Sequence, residues 1–318
     1  RRRGKFAASV DVPYDRSGMS RWLFATSLAT ACIFAAPEVR AERDLHERQP
    51  TAWTVSHLVA SGALLGVAAG FQFLAPDDLQ PNFRGGLWFE RDVDRNFSRL
   101  SAGVSDFTLA ANVVLPPIVL ATAAPATSVE NALVIYTETN AVTLAVTLAT
   151  KFAVRRARPY VPNPDPETAK AERESGADRA FSFFSGHAAV SFTSTTSGGY
   201  LLYALGAPEE GRAIYWASAM SLSAFTSHLR IRAGMHYPSD VLVGAVVGTG
   251  LGFLVPALHG VPFEMTGAEG AALGGGLVFG ACMALLMPTE TADEFARHPI
   301  SIAPTSGGAV LSWGREWD

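Results

Sequence analysis

Hydrophobic residues along this chain fall into long runs separated by short polar stretches. Residues 52–75 are apolar apart from His57 and Gln72. Further runs cover 105–124, interrupted by Pro116-Pro117, then roughly 130–153, 187–206, 212–229, 239–258 and 267–287. A bilayer-crossing helix needs ~20 mostly apolar residues, and each run approaches that length. Long apolar stretches with short links predict an all-α fold: an antiparallel bundle of about six core helices, transmembrane in character. The runs at 187–206 and 212–229 are the most polar and are rich in Ser and Thr, whose hydroxyls can bond within or between helices.

The polar stretches are few. Residues 76–104 read as a solvated loop with room for a short helix, and residues 155–183 are Pro-rich and charged. In the tail, Ile300 to Pro304 and Gly308 to Trp313 flank a Ser-Gly-Gly turn, a pattern that predicts a short β-hairpin. Gly62, Gly66 and Gly70 recur at four-residue spacing in one helix, and Gly244, Gly248 and Gly252 in another. Repetition on one face predicts close helix packing rather than glycine richness alone.

Composition agrees with a membrane protein. Of the 318 residues 48% are hydrophobic and 17% charged, below the ~25% charged usual in soluble domains, and the mean hydropathy is +0.19. A net charge of −4 gives no broad basic surface, so no nucleic-acid partner is expected. Two cysteines, Cys32 and Cys282, make no disulfide framework. Met19, Arg21, an apolar run from Trp22 to Ala36 and the small-x-small step Val39-Arg40-Ala41 read as a secretory signal. The expected organisation is a signal-like segment over 1–41, a helical domain over 42–288 and a tail over 289–318.

Three polar clusters carry candidate chemistry. The first, Lys151 to Pro159 with Arg155, Arg156 and Arg158, closes a helix. Lys151 and Arg158 are seven residues apart and, if helical, share a face suited to a tetrahedral anion. Alone, the cluster reads equally well as a basic flank at a membrane end. The second, Phe184-Ser185-Gly186-His187, opens a helix. There Ser185 can cap, free N–H groups can face an anion, and His187 can move a proton. The third runs from Arg230 through His236 to Asp240. A carboxylate near an imidazole can fix its tautomer and free the other nitrogen to attack, while the plainer reading of Asp240 is a helix cap. In an up-and-down bundle helix ends and starts alternate, which places all three clusters on one face. Elsewhere, His57, Glu130, Glu138 and Asn140 lie in or near apolar helices, where ionisable groups are functional by default. Glu130 can instead be satisfied by a helix start, and His228 and His259 at helix ends read as structural.

The series Lys151-x6-Arg158-Pro159, Ser185-Gly186-His187 and Arg230-x5-His236-x3-Asp240 resembles the tripartite signature of type 2 phosphatidic acid phosphatases, which class A acid phosphatases and vanadium haloperoxidases share. Phe184 stands where Pro is usual and Leu229 where Ser is usual. The resemblance implies a metal-independent phosphatase with no cofactor. Lys151, Arg158, Arg230, Ser185 and the Gly186 amide would hold phosphate, His236 would attack phosphorus, Asp240 would orient His236, and His187 would protonate the leaving group. Implied substrates are phosphatidic acid, phosphatidylglycerol phosphate, undecaprenyl pyrophosphate or lipid A, met in a bacterial membrane with the site facing the periplasm. A soluble periplasmic acid phosphatase, a haloperoxidase and a non-catalytic phosphate-binding membrane protein are the alternatives. Topology strains the lead expectation. After a cleaved signal, three spans would turn the active face to the cytoplasm unless 22–36 is not translocated, 105–124 does not span, or the chain is wholly periplasmic.

Overall fold

The structure, a computed structural model, describes residues 45–47, 49–73, 75–82, 86–88, 90, 93, 97–162 and 176–286, together with the backbone of 300–305 and 308–313. The signal-like segment expected over 1–41 lies outside the described residues. Among the described residues seven α-helices follow one another: α1 (Thr51–Phe73), α2 (Arg99–Ala123), α3 (Ala126–Val154), α4 (Gly186–Ala204), α5 (Glu209–Arg232), α6 (Pro238–Leu258) and α7 (Gly267–Leu286). A 3-10 turn covers Gly176–Ala180. Five of the helices, α1, α2, α3, α6 and α7, are long and apolar enough to cross a membrane. At the C-terminus, strands Ile300–Thr305 and Gly308–Trp313 pair antiparallel, with Ile300 opposite Trp313. The fold is the expected all-α bundle.

Helix α2 begins six residues before the apolar run that predicted it. Ser98 supplies the cap, its Oγ accepting from the Ser101 amide, so a polar first turn joins the helix. That extension adds Ser101 and completes the turn that carries Ser105 and Asp106. Pro116 and Pro117 sit inside the same continuous helix.

Polarity is inverted relative to a water-soluble bundle. The exterior is apolar: Phe107, Val246, Val278 and Leu286 are 75%, 64%, 65% and 76% exposed. The interior is hydroxyl-rich: Ser191 and Thr193 through Ser197 of α4 are fully buried. Every buried polar group needs a partner, and these have them. Asn112 of α2 donates to Ser191 Oγ of α4 and Thr226 Oγ1 of α5, and accepts from Ser223 Oγ. Thr195 and Ser223 lie 2.8 Å apart, and Thr143 and Thr193 3.0 Å apart. Such an arrangement suits lipid outside, where apolar surface costs nothing, and interhelical hydrogen bonds inside.

The glycine ridges divide. On α6, a Cβ added at Gly244, Gly248 or Gly252 would run into Ser185 O, Ala189 O or Thr196 Oγ1 of α4. Side chains are excluded there because the two backbones touch. A second ridge, Gly276 and Gly280 of α7, meets the Ala217 and Ser221 carbonyls of α5 in the same way. Gly62 and Gly66 of α1 face open space, so close packing is not their role among the described residues.

Candidate active site

Helix α3 ends at Val154, where Arg155 adopts a left-handed conformation (φ 50°) and its N–H closes on the Lys151 carbonyl. Pro159 therefore does not stop the helix, and Arg158 is not on the helical face of Lys151 as its spacing suggested. Arg158 arrives from a loop. That loop is zipped to the segment before α4: the Ser182 amide donates to Arg156 O at 3.0 Å, and the Arg158 amide to Arg179 O at 2.9 Å. The pairing places three positions at once, Arg156, Arg158 and Ser182. Arg158 donates from Nη2 to Asp178 Oδ1 at 2.6 Å and from Nε to the Asp178 carbonyl.

Helix α5 ends at Arg232, and Gly234 takes a positive φ of 69° that a side chain would resist. The turn folds back so that the Met235 and His236 amides both donate to the Arg230 carbonyl, at 3.1 and 3.3 Å. His236 is thereby presented beside Arg230, 1% exposed. Its Nδ1 donates to the Ser182 carbonyl at 2.7 Å. A carbonyl only accepts, so Nδ1 carries the proton and Nε2 keeps its lone pair. Asp240 does not make the hydrogen bond expected of it, since its nearest oxygen is 3.9 Å from Nδ1. Its Oδ2 instead accepts from Ser182 Oγ at 2.5 Å and from the Tyr237 amide at 2.9 Å. The carboxylate thus holds the residue that holds the imidazole, and it also closes the first turn of α6.

Burial, followed by the positive charges of Lys151, Arg158 and Arg230 and the neighbouring His187, holds the His236 pKa well below the usual imidazole range. At neutral pH the ring is neutral, the form that can donate an electron pair.

The second cluster joins the same end of the bundle. Ser185 caps α4, its Oγ accepting from the Ala188 amide at 3.4 Å, and its own amide donates to the Asp240 carbonyl. A Cβ at Gly186 would sit 3.9 Å from Lys151 Nζ, so the backbone of α4 opens against that ammonium group. His187 Nε2 lies 2.7 Å from Asp106 Oδ1 of α2, and Arg230 Nη1 donates to the same oxygen at 3.1 Å and to Ser105 Oγ at 3.0 Å. Asp106 therefore bridges the second and third clusters. The sequence reading missed it because α2 was read as starting at residue 105, leaving Asp106 an unremarked residue at a helix start.

A further carboxylate lies behind the cluster. Glu90, 1% exposed, accepts from the Ser239 and Leu87 amides at 2.6 and 3.0 Å and from Arg156 Nη2 at 2.9 Å. Arg156 in turn donates from Nη1 to Asp240 Oδ1 at 2.6 Å and lies over the Tyr237 ring, 4.1 Å from its centroid. The chain Glu90–Arg156–Asp240–Ser182–His236 is continuous. Arg156 is thus a scaffold for the third cluster rather than an extension of the anion cradle.

Three cations, a neutral imidazole with a directed lone pair and a second imidazole held by a carboxylate can bind a tetrahedral dianion and transfer its phosphoryl group. Among the described residues the one group of three potential metal ligands, His57, Glu138 and His259, lies away from this end.

Neither a curated protein nor a solved structure matches the chain. The family model of the PAP2 superfamily matches residues 132–262, which span α3 to α6 and hold all three clusters. That match supports a phosphatase-type function. Residues 132–262 are thus similar to the PAP2 superfamily.

Proposed function

We propose that the protein is a membrane-embedded phosphatase that hydrolyses lipid phosphate monoesters or pyrophosphates through a phosphohistidine on His236. The observation that carries this reading is the Ser182 carbonyl on His236 Nδ1, which leaves Nε2 with its lone pair on a ring that feels the charges of Lys151, Arg158 and Arg230. In the first step Nε2 bonds to phosphorus and the bond to the leaving oxygen breaks. His187, as the imidazolium with its Nε2–H held by Asp106, gives that oxygen the proton of Nδ1 and is left neutral. In the second step His187 takes a proton from water, the water oxygen bonds to phosphorus, and the P–N bond breaks to release phosphate. Ser185 and the Gly186 amide add donors at the helix start. Because Lys151, Arg158 and Arg230 neutralise the phosphate, the chemistry calls for no metal.

The apolar exterior and hydroxyl-lined interior support a lipid substrate over a small soluble ester, because a lipid phosphate can reach the end of the bundle from the bilayer. Phosphatidic acid, phosphatidylglycerol phosphate, undecaprenyl pyrophosphate and lipid A are the candidates. The active end carries the C-terminal ends of α3 and α5 and the start of α2, so the start of α1 belongs to the other side. With the site facing the periplasm, α1 begins in the cytoplasm. The test is fractionation after a carbonate wash, with initial rates on phosphatidic acid and on a water-soluble phosphate ester. Activity should remain with the membrane, favour the lipid and survive EDTA. Activity in the soluble fraction with no lipid preference would overturn the reading.

A further inference from the structure

Three ionisable side chains from three helices meet far from the phosphate cluster. His57 lies on α1, Glu138 within α3 and His259 at the C-terminal end of α6. Along α3, Glu138 is roughly 20 Å from Lys151 at 1.5 Å rise per residue. His57 Nδ1 is 2.6 Å and His259 Nε2 is 3.2 Å from a single carboxylate oxygen, Glu138 Oε2. The two imidazole rings lie 4.7 Å apart at 60°, and Trp53 packs against both, at 4.8 and 5.9 Å. All three potential ligand atoms fall within 4.8 Å of one another.

We propose that His57, Glu138 and His259 form a binding site for a first-row transition-metal cation, with Zn2+ the best fit to the ligand types. Two imidazole nitrogens and one carboxylate oxygen are the ligands that borderline cations take. Bonds of ~2.0–2.2 Å to a tetrahedral cation would set the ligands roughly 3.3 Å apart. The Glu138–His259 separation of 3.2 Å is close to that value, His57 has to withdraw by less than an ångström from the carboxylate, and the two imidazole nitrogens, within 4.8 Å of each other, have to settle at the same spacing. His57 and Glu138 are 12% and 18% exposed at their side chains, which leaves an opening for a water as fourth ligand. Ionisable groups inside apolar helices carry a desolvation cost that a bound cation would offset.

The site would staple α1 to the bundle. Val55, Leu58, Val59, Leu65 and Val67 of α1 are all exposed, and its glycines at 62 and 66 touch nothing. Apolar packing therefore fixes this helix less than the others, and a metal shared with α3 and α6 supplies the missing tie. The role is structural and separate from phosphoryl transfer. The competing arrangement is a hydrogen-bonded clamp, in which each ring donates an N–H to Glu138 and no cation binds.

The test uses untagged full-length protein in detergent, stripped with a chelator, dialysed and titrated with Co2+. The expected result is one equivalent bound per chain, with the visible absorption of four-coordinate Co2+ and a rise in the thermal midpoint. Glu138→Gln and His259→Ala should abolish both while retaining helical circular dichroism and a monodisperse elution profile. No binding above the level of those variants would overturn the proposal in favour of the clamp. Should a variant fail to fold, X-ray absorption on the Co2+-loaded wild type decides. Two imidazole shells support the site, and an all-oxygen shell contradicts it.

Discussion

The Nδ1 of His236 lies 2.7 Å from the Ser182 carbonyl and 3.9 Å from the Asp240 carboxylate. The tautomer of the proposed nucleophile is therefore set by a main-chain oxygen, and the acid acts one step behind. Where a carboxylate holds the tautomer directly, replacing it by an amide costs ~10⁴-fold in kcat. Asp240→Asn should cost much less here, roughly 10- to 100-fold. A loss approaching the direct-contact value in steady-state assays would show that Asp240 contacts the imidazole during turnover.

Glu90 and Arg156 lie behind Asp240, and both are buried. Removing one member of a buried ion pair strands the other charge, at a cost of about 3–5 kcal/mol. Glu90→Ala should lower the thermal midpoint in detergent markedly and reduce kcat, because the Ser239 amide and Arg156 lose an anchor together. A variant that melts like the wild type would remove Glu90 from the scaffold.

Asp106 is expected to act through His187. Proton transfer by a placed acid or base contributes ~10²–10⁴-fold. Asp106→Asn weakens the placement without deleting the acid, so roughly a tenfold loss in kcat is expected, with an altered pH profile. Unchanged kcat and profile would leave Asp106 as a partner of Arg230 alone.

The depressed pKa of His236 has a definite sign in kinetics. The free enzyme keeps the ring neutral as pH falls through the ordinary histidine value of ~6.5, so the acid limb of kcat/KM should lie below that value. A bound phosphate dianion offsets Lys151, Arg158 and Arg230, so the limb in kcat should lie higher than the limb in kcat/KM. Coincident limbs at the ordinary value would contradict the cationic setting of His236.

The helix pattern was legible because lipid-facing helices are long and apolar, and the shared end of the three clusters follows from alternating helix directions. Tertiary contacts were not. Ser182 acts through its carbonyl, which no residue type announces. Glu90 and Asp106 meet their partners across long stretches of chain, and Asp106 sat at the edge of a helix whose capped first turn is polar. Arg158 was misplaced because the left-handed turn at Arg155 ends α3 before Pro159. The two glycine ridges looked alike in sequence, yet only the α6 ridge meets a neighbouring backbone. Gly248→Leu should accordingly abolish folded protein, while Gly62→Ala should leave the thermal midpoint unchanged or higher. The reverse order in size-exclusion and melting assays would contradict the packing of α6 on α4. His259 read as structural and His57 and Glu138 as ionisable groups in apolar helices with no partner named, because their meeting requires α1, α3 and α6 to be assembled first.

The most direct test of the central claim is phosphate release from phosphatidic acid in mixed micelles by purified wild type and His236→Ala. The account predicts turnover by the wild type and a loss of at least about a thousandfold in the variant, as expected when a covalent nucleophile is deleted, with helical content and melting retained. Release by His236→Ala within about tenfold of the wild type would contradict it.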